Sequence, residues 1–296
     1  MLKINLIRLS RVLTPILRFK QPEKFLNTTS RCLVKKYKNV ENDFAYNYLK
    51  KHTIVGGKCD NSISEFKFEE NYANKTVAEL IDGFENLSHY CAVTESCISL
   101  DKFDDFVKQM IKIIPQLNDE EIIRVLSDLA RFPPTPNAHS KNFYNLWSEL
   151  DVLCDSRIKL WKFPELLRVA QLWYTLGLCR TGEYTWNAIR KISRRFHKLT
   201  GKQLVETMFY LNLCRKSLQM FDIEAKFLEV LDELDINEIG IVSIAFFKTE
   251  SKIRNFKLVE NLFHKTIQHA NEIQDITLVN ILKVKIGLNL KAVRLY

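Results

Sequence analysis

Four stretches of the chain repeat one arrangement of positions: an apolar residue, a slot for a helix cap, and Glu or Gln three residues beyond the slot. They are Leu117-Asn118 with Glu121, Trp161-Lys162 with Glu165, Leu199-Thr200 with Gln203, and Leu234-Asp235 with Glu238. Asn, Thr and Asp are good N-caps, and an acid or amide at the third helical position can reach back to the cap's own N–H, so each stretch predicts a helix start. Lys162 is a poor cap, but Pro164, tolerated only in a first turn, marks the same boundary. After each start the apolar residues follow helical spacing: Ile122, Val125, Leu129; Leu166, Val169, Trp173; Leu204, Leu211; Ile239, Val242, Phe246, with Thr207 the one polar member.

A second amphipathic stretch follows each first helix, over Phe143 to Leu153, Trp186 to Phe196, Ile223 to Leu234 and Phe256 to Ile267, and a weaker fifth copy covers Ile273 to Leu290. The lead residues stand 44, 38 and 35 apart. One such hairpin cannot bury its apolar face alone and must stack on its neighbours. The pattern therefore predicts an all-α fold, an α-solenoid of stacked helical hairpins repeating every 35 to 44 residues, over 59–296 and clearest over 117–290. The longest spacing contains Pro133-Pro134-Thr135-Pro136, expected as an extended loop or boundary. An apolar fraction of 46% and only eight glycines and seven prolines in 296 residues suit long buried helices and exclude a disordered chain.

Charge changes the picture most at the N-terminus. Residues 1–58 hold thirteen Lys and Arg against Glu23, Glu41 and Asp43, a net of +10, so the remaining residues come to −1 although the whole chain is +9. No acid precedes Glu23; Leu2, Leu6, Leu9, Leu13 and Ile16 share one helical face, and Arg8, Arg11 and Arg18 lie on the other. An acid-free, cationic amphipathic start is the pattern of a mitochondrial presequence, while the arginines interrupt any secretory core or membrane span. The alternative is a basic surface helix of the mature fold. Residues 1–58 are read as presequence plus a poorly structured lead-in, with Gly56-Gly57 a break, which places the protein in the mitochondrial matrix with no membrane span.

Beyond the leader, one basic island survives. Residues 59–154 carry a net of −9 and residues 155–202 a net of +8. On a helix running from Glu183 to Lys198, Arg190, Arg194 and Lys198 would form one ridge and Lys191 with Arg195 the next, with Trp186, Ile189 and Phe196 turned to the core. Like charges crowded on one face favour an anionic partner, and the phosphates of a nucleic-acid strand are a natural one. Arg157, Lys159, Lys162, Arg168 and Lys202 would extend the strip, and Tyr174 and Tyr184 are candidate stacking platforms for bases. The RNA-binding candidates are thus Arg190, Lys191, Arg194, Arg195, Lys198, Lys202, Arg168 and Tyr184. A solvated helix face balanced by the preceding acidic segment is the competing reading of the cations, and core packing that of the tyrosines.

Ala245-Phe246-Phe247-Lys248-Thr249 followed by Lys252-Ile253 resembles the helical region of the FAST kinase domain-containing family, and the helices opening Pro164-Glu165-Leu166-Leu167 and Gln203-Leu204-Val205 are similar to its preceding repeats, so the likeness covers roughly 160 to 290. The resemblance implies a mitochondrial RNA-binding protein acting in processing, stability or translation of mitochondrial transcripts, with single-stranded RNA and other RNA-processing proteins as partners and no DNA. Members of that family normally end in a compact RAP domain, whereas this chain reaches Tyr296 still reading as helix, as a truncated product or short relative would; activity residing in that domain is not carried over. A protein-interaction scaffold of the matrix is the alternative function.

Catalytic chemistry has no motif here. The kinase signatures (a Gly-rich loop, His-Arg-Asp, Asp-Phe-Gly) are missing, and Gly201-Lys202 lacks the glycine that a phosphate loop needs five positions earlier, where Phe196 stands. His264 and His269 are spaced by five, and the seven cysteines (Cys32, Cys59, Cys91, Cys97, Cys154, Cys179, Cys214) form no CxxC pair, so neither a metal nor a disulfide framework is expected. Cys179 and Cys214 are expected as buried thiols in helices. The protein is expected to be neither an enzyme nor a cofactor carrier.

Overall fold

The computed structural model describes residues 40–50, 66, 72–135, 139–214, 221–249 and 253–292. Among these are twelve α-helices and no strand: α1 Val40–Lys50, α2 Val77–Thr94, α3 Asp104–Ile113, α4 Asp119–Leu129, α5 Lys141–Arg157, α6 Phe163–Thr175, α7 Tyr184–Ser193, α8 Gly201–Cys214, α9 Phe221–Val230, α10 Ile236–Lys248, α11 Phe256–Gln268 and α12 Asp275–Ala292. The expected presequence lies outside the described residues.

Helices α2, α4, α6, α8, α10 and α12 pack side by side as one layer, and α3, α5, α7, α9 and α11 form the second, so the chain is a stack of hairpins. The expected starts are present. Asn118 with Glu121 and Asp235 with Glu238 form reciprocal capping boxes. Thr200 and Gln203 do the same, through Gln203 N–H to Thr200 Oγ1 at 3.3 Å and Thr200 N–H to Gln203 Oε1 at 3.1 Å. At Lys162 no side chain caps, and proline in the first turn marks the start of α6. Each member of the apolar stripes is buried, and Thr207 satisfies its hydroxyl by donating to Gln203 O at 2.7 Å. Burial of this kind contributes about 1.5–3 kcal/mol per large aliphatic or aromatic side chain.

One further repeat precedes the expected ones. Thr76 and Glu79 make a capping box at the start of α2, 42 residues before Asn118, but Lys75 stands where the other starts carry an apolar residue. Late in the stack, α10 and α12 approach closely enough to need glycine: a Cβ on Gly240 would lie 2.8 Å from Thr277 Cγ2 and 3.3 Å from its Cα. Gly177, at φ 76, turns the chain out of α6 in a conformation that costs other residues more.

Second-layer helices also start on carboxylates reached from the previous repeat. Asp151 on α5 accepts the N–H groups of Glu183 (2.9 Å) and Tyr184 (3.1 Å) at the head of α7, where Glu183 itself provides no side-chain cap. Glu224 on α9 accepts those of Arg254 (2.9 Å) and Asn255 (2.8 Å) before α11. Asp104 on α3 pairs with Lys141 and accepts from Asn142 Nδ2 at 2.8 Å at the start of α5. Asp151 and Glu224 satisfy backbone donors at a helix start, a cap being worth about 1 kcal/mol, Asp104 satisfies side-chain donors, and all three hold neighbouring repeats in register.

The lead-in departs from expectation over 40–50. Instead of unstructured chain, α1 lies against α8, with Ala45 and Leu49 buried, the Tyr46 ring 4.5 Å from Tyr174, and Tyr46 Oη 3.3 Å from Thr175 Oγ1. Its apolar face is short and was masked by the basic residues around it. Glu206 on α8 has no hydrogen-bond or ion-pair partner among the described residues, and burial raises its carboxyl to about 7. The folded protein then holds that proton more tightly than the unfolded chain, whose value is about 4.3. The resulting stability is fully present below the unfolded value and is lost as pH rises to about 7, with a constant deficit above. Glu206→Gln should match the parent near pH 4 and exceed it in stability above about pH 7. Urea melts across that range check this; a difference independent of pH would show that Glu206 is solvated.

Candidate nucleic-acid interface

The cations gather where second-layer helices hand over to first-layer ones. Five such junctions occur among the described residues, and the first four follow one another along one edge: 114–118 before α4, 158–162 before α6, 194–200 before α8 and 231–235 before α10, with 269–274 before α12 the last. Side chains link them in order. Arg157, at the end of α5, donates to Leu117 O at 3.3 Å and lies 3.9 Å from Asp119. Lys191 on α7 donates to the carbonyls of Ile158 and Trp161. Lys202 pairs with Glu238, and Lys226 Nζ donates to His197 O at 3.5 Å.

The expected ridge is rearranged. Helix α7 ends at Ser193; Arg194 caps it and Arg195 leaves helical geometry at φ −142, ψ 37, so Phe196–Lys198 forms a separate 3-10 turn. A straight i, i+4 row of Arg190, Arg194 and Lys198 therefore does not exist. Phe196 still turns into the core from this 3-10 turn, where it is 1% exposed. All four of Arg190, Arg194, Arg195 and Lys198 are nevertheless exposed, as are Lys159 and Lys162 at the neighbouring junction. None of these six has a carboxylate in ion-pair range among the described residues.

Three candidates are corrected. Tyr184 is fully buried, its hydroxyl donating to Leu166 O at 3.0 Å and its ring packed near Trp161 and Trp173, so it cannot stack on a base. Lys191 spends its ammonium on two carbonyls; burial, then Arg195, lowers its pKa. Lys202 is partnered by Glu238, a carboxylate 1% exposed that also accepts from Asp235 N–H. Arg168 is exposed but stands on the first-layer helix α6, six residues past its cap, at the position equivalent to Arg124 and Glu206. Tyr174 is half-buried between Tyr46 and Phe209, at 4.5 and 5.1 Å.

Sequence reasoning did not single out the role of Leu160, which is 71% exposed between Lys159 and the buried Trp161 and offers an apolar contact among the cations. No spacing signal marks a single loop leucine. The five described cysteines are free thiols. Cys179 lies in the turn after α6, not in a helix, with Cys214 Sγ 3.8 Å from its carbonyl. Burial pushes the Cys91 thiol up to about 12 and raises those of Cys154 and Cys179 strongly, which makes them poor nucleophiles. No described helix is long and apolar enough to cross a membrane. Among the described residues, no three His, Cys, Asp or Glu groups are placed to hold a metal ion.

No family model and no solved structure matches the chain. It is 27% identical over 225 residues to a mouse protein named FAST kinase domain-containing protein 5, mitochondrial. That stretch is 72% of this chain and 27% of the mouse protein, so the chain spans only about a quarter of the length of the relative it matches. The similarity fits a FAST kinase-like family, and the relative is by name a mitochondrial protein.

Proposed function

We propose that this chain is a non-enzymatic, mitochondrial RNA-binding solenoid that holds single-stranded RNA along the edge formed by Lys159, Lys162, Arg190, Arg194, Arg195 and Lys198, and that it acts in the processing, stability or translation of mitochondrial transcripts. The observation that carries the reading is that these six cations are exposed on two adjacent junctions and on the last turn of α7 that leads into the second, without carboxylate partners among the described residues. Unpaired like charges held by a rigid scaffold repel one another, and a phosphate backbone relieves that repulsion while releasing its own counterions. The similarity to a mitochondrial relative supports the compartment, and the acid-free N-terminus supports import.

Binding of a labelled single-stranded RNA, followed by anisotropy between about 50 and 300 mM salt, tests it. With four or five phosphates neutralised, log K should fall against log salt with a slope of about −3. Absence of binding at the lowest salt, or a flat salt dependence, rules the reading out. Partners recovered from matrix that survive nuclease treatment would instead identify a protein scaffold.

A further inference from the structure

The basic edge stops abruptly on both sides. At the junction before it, Asp119 and Glu120 are exposed at the head of α4, and Arg157 lies 3.9 Å from Asp119. At the junction after it, five carboxylates (Glu229, Asp232, Glu233, Asp235, Glu238) lie within ten residues without an intervening cation. Among the described residues Lys202, Lys226 and Lys265 pair with Glu238, Glu229 and Asp232, and the Asp232 side chain stays 93% exposed even with Lys265 at 3.0 Å. The contacts of Arg157, Lys191, Lys202 and Lys226 establish the order of the junctions, so the sequence of charge along the edge is negative, positive, positive, negative.

A polyanion following this edge meets attraction over two junctions and repulsion beyond each. Helices in a layer lie about 8–10 Å apart, which makes the attractive stretch roughly 20 Å long. At about 3.4 Å per stacked nucleotide, that stretch accommodates about six nucleotides, and fewer if the strand is extended. We infer that the ligand of the proposed RNA edge is a short single-stranded segment of about four to six nucleotides, delimited by carboxylates at Asp119–Glu120 and at Asp232–Glu233 that turn the flanking strand away from the solenoid. The inference rests on the RNA reading. It adds that the solenoid grips one short site and does not thread RNA along its whole length.

An oligouridine ladder of about 4, 6, 8, 12 and 20 nucleotides, bound to the full chain at several salt concentrations, separates the possibilities. The salt slope should steepen up to about six nucleotides and stay constant thereafter, with longer strands gaining only the statistical factor of additional registers. A slope that continues to steepen from 8 to 20 nucleotides overturns the delimited site and leaves RNA binding standing. No binding at any length overturns the RNA reading itself. Glu120→Lys and Glu233→Lys supply the second arm. Each should steepen the slope for the 20-nucleotide strand by about one and leave the six-nucleotide affinity unchanged, which also reports that the variant is folded. An unchanged slope with the long strand overturns the barrier assigned to that carboxylate.

Discussion

Arg194, Arg195 and Lys198 changed together to glutamate are expected to lower single-stranded RNA affinity at least about a hundredfold at low salt. The three are exposed and without carboxylate partners among the described residues, so the substitution removes attraction and introduces repulsion without unmaking an internal contact. The fold should tolerate it. Placing acids beyond the C-terminus of α7 costs about 0.3–1 kcal/mol per group through the helix dipole, well within the stability of an ordinary domain. The matching glutamine variant should lose less affinity and flatten the salt slope by about two, which separates loss of counterion release from active repulsion. Anisotropy titrations with both variants decide the matter. Parental affinity in the glutamate variant would mean that RNA, if bound, lies elsewhere.

Trp173→Ala should destabilise the protein by about 3–5 kcal/mol, the usual cost of removing a buried tryptophan. Trp173 is fully buried on α6, edge-on to Trp147 of α5 at 6.5 Å and 6.4 Å from Tyr184 of α7. Trp161, 5.9 Å from Tyr184, extends the cluster to the junction whose carbonyls Lys191 holds. One indole therefore fastens three helices beneath the basic edge. A solenoid is stabilised repeat by repeat, so a cavity here should weaken the central interface more than the ends and lower the cooperativity of urea unfolding. Trp173→Phe, which keeps an aromatic ring, should recover much of the loss. A deficit below about 1 kcal/mol for the alanine variant would contradict close packing at this position.

Both results would follow from the same structural logic, in which a central aromatic cluster supports an exposed cationic edge. Tyr184 shows why the two roles are not separable at the level of sequence, where base stacking and core packing both fit it. An aromatic next to basic residues is compatible with base stacking, but its ring completes the core and its hydroxyl already has an acceptor in Leu166. Lys191 makes the same point with charge, since its position on the helix predicted a phosphate contact while the adjacent junction presents two carbonyls that need a donor.

The local pattern was sufficient for the helices. Asn118, Thr200 and Asp235 act through atoms two or three residues away, and the apolar stripes of α4, α6, α8 and α10 report a period of one turn, so both signals lie within a single stretch of chain. It failed for Thr76, where an otherwise complete capping box follows a lysine, and for α1, whose few buried residues become informative only against α8.

Helix type, the hairpin period and the excess of positive charge over 155–202 were determined by the chain itself, because propensity, capping and charge act over a few residues. The break at Arg194–Arg195, the carboxylates of Asp151 and Glu224 that start helices about thirty residues ahead, and the division of the cations into exposed and spent ones were decided by packing between repeats. Those contacts depend on which side chains stacking brings together, and no local spacing encodes them.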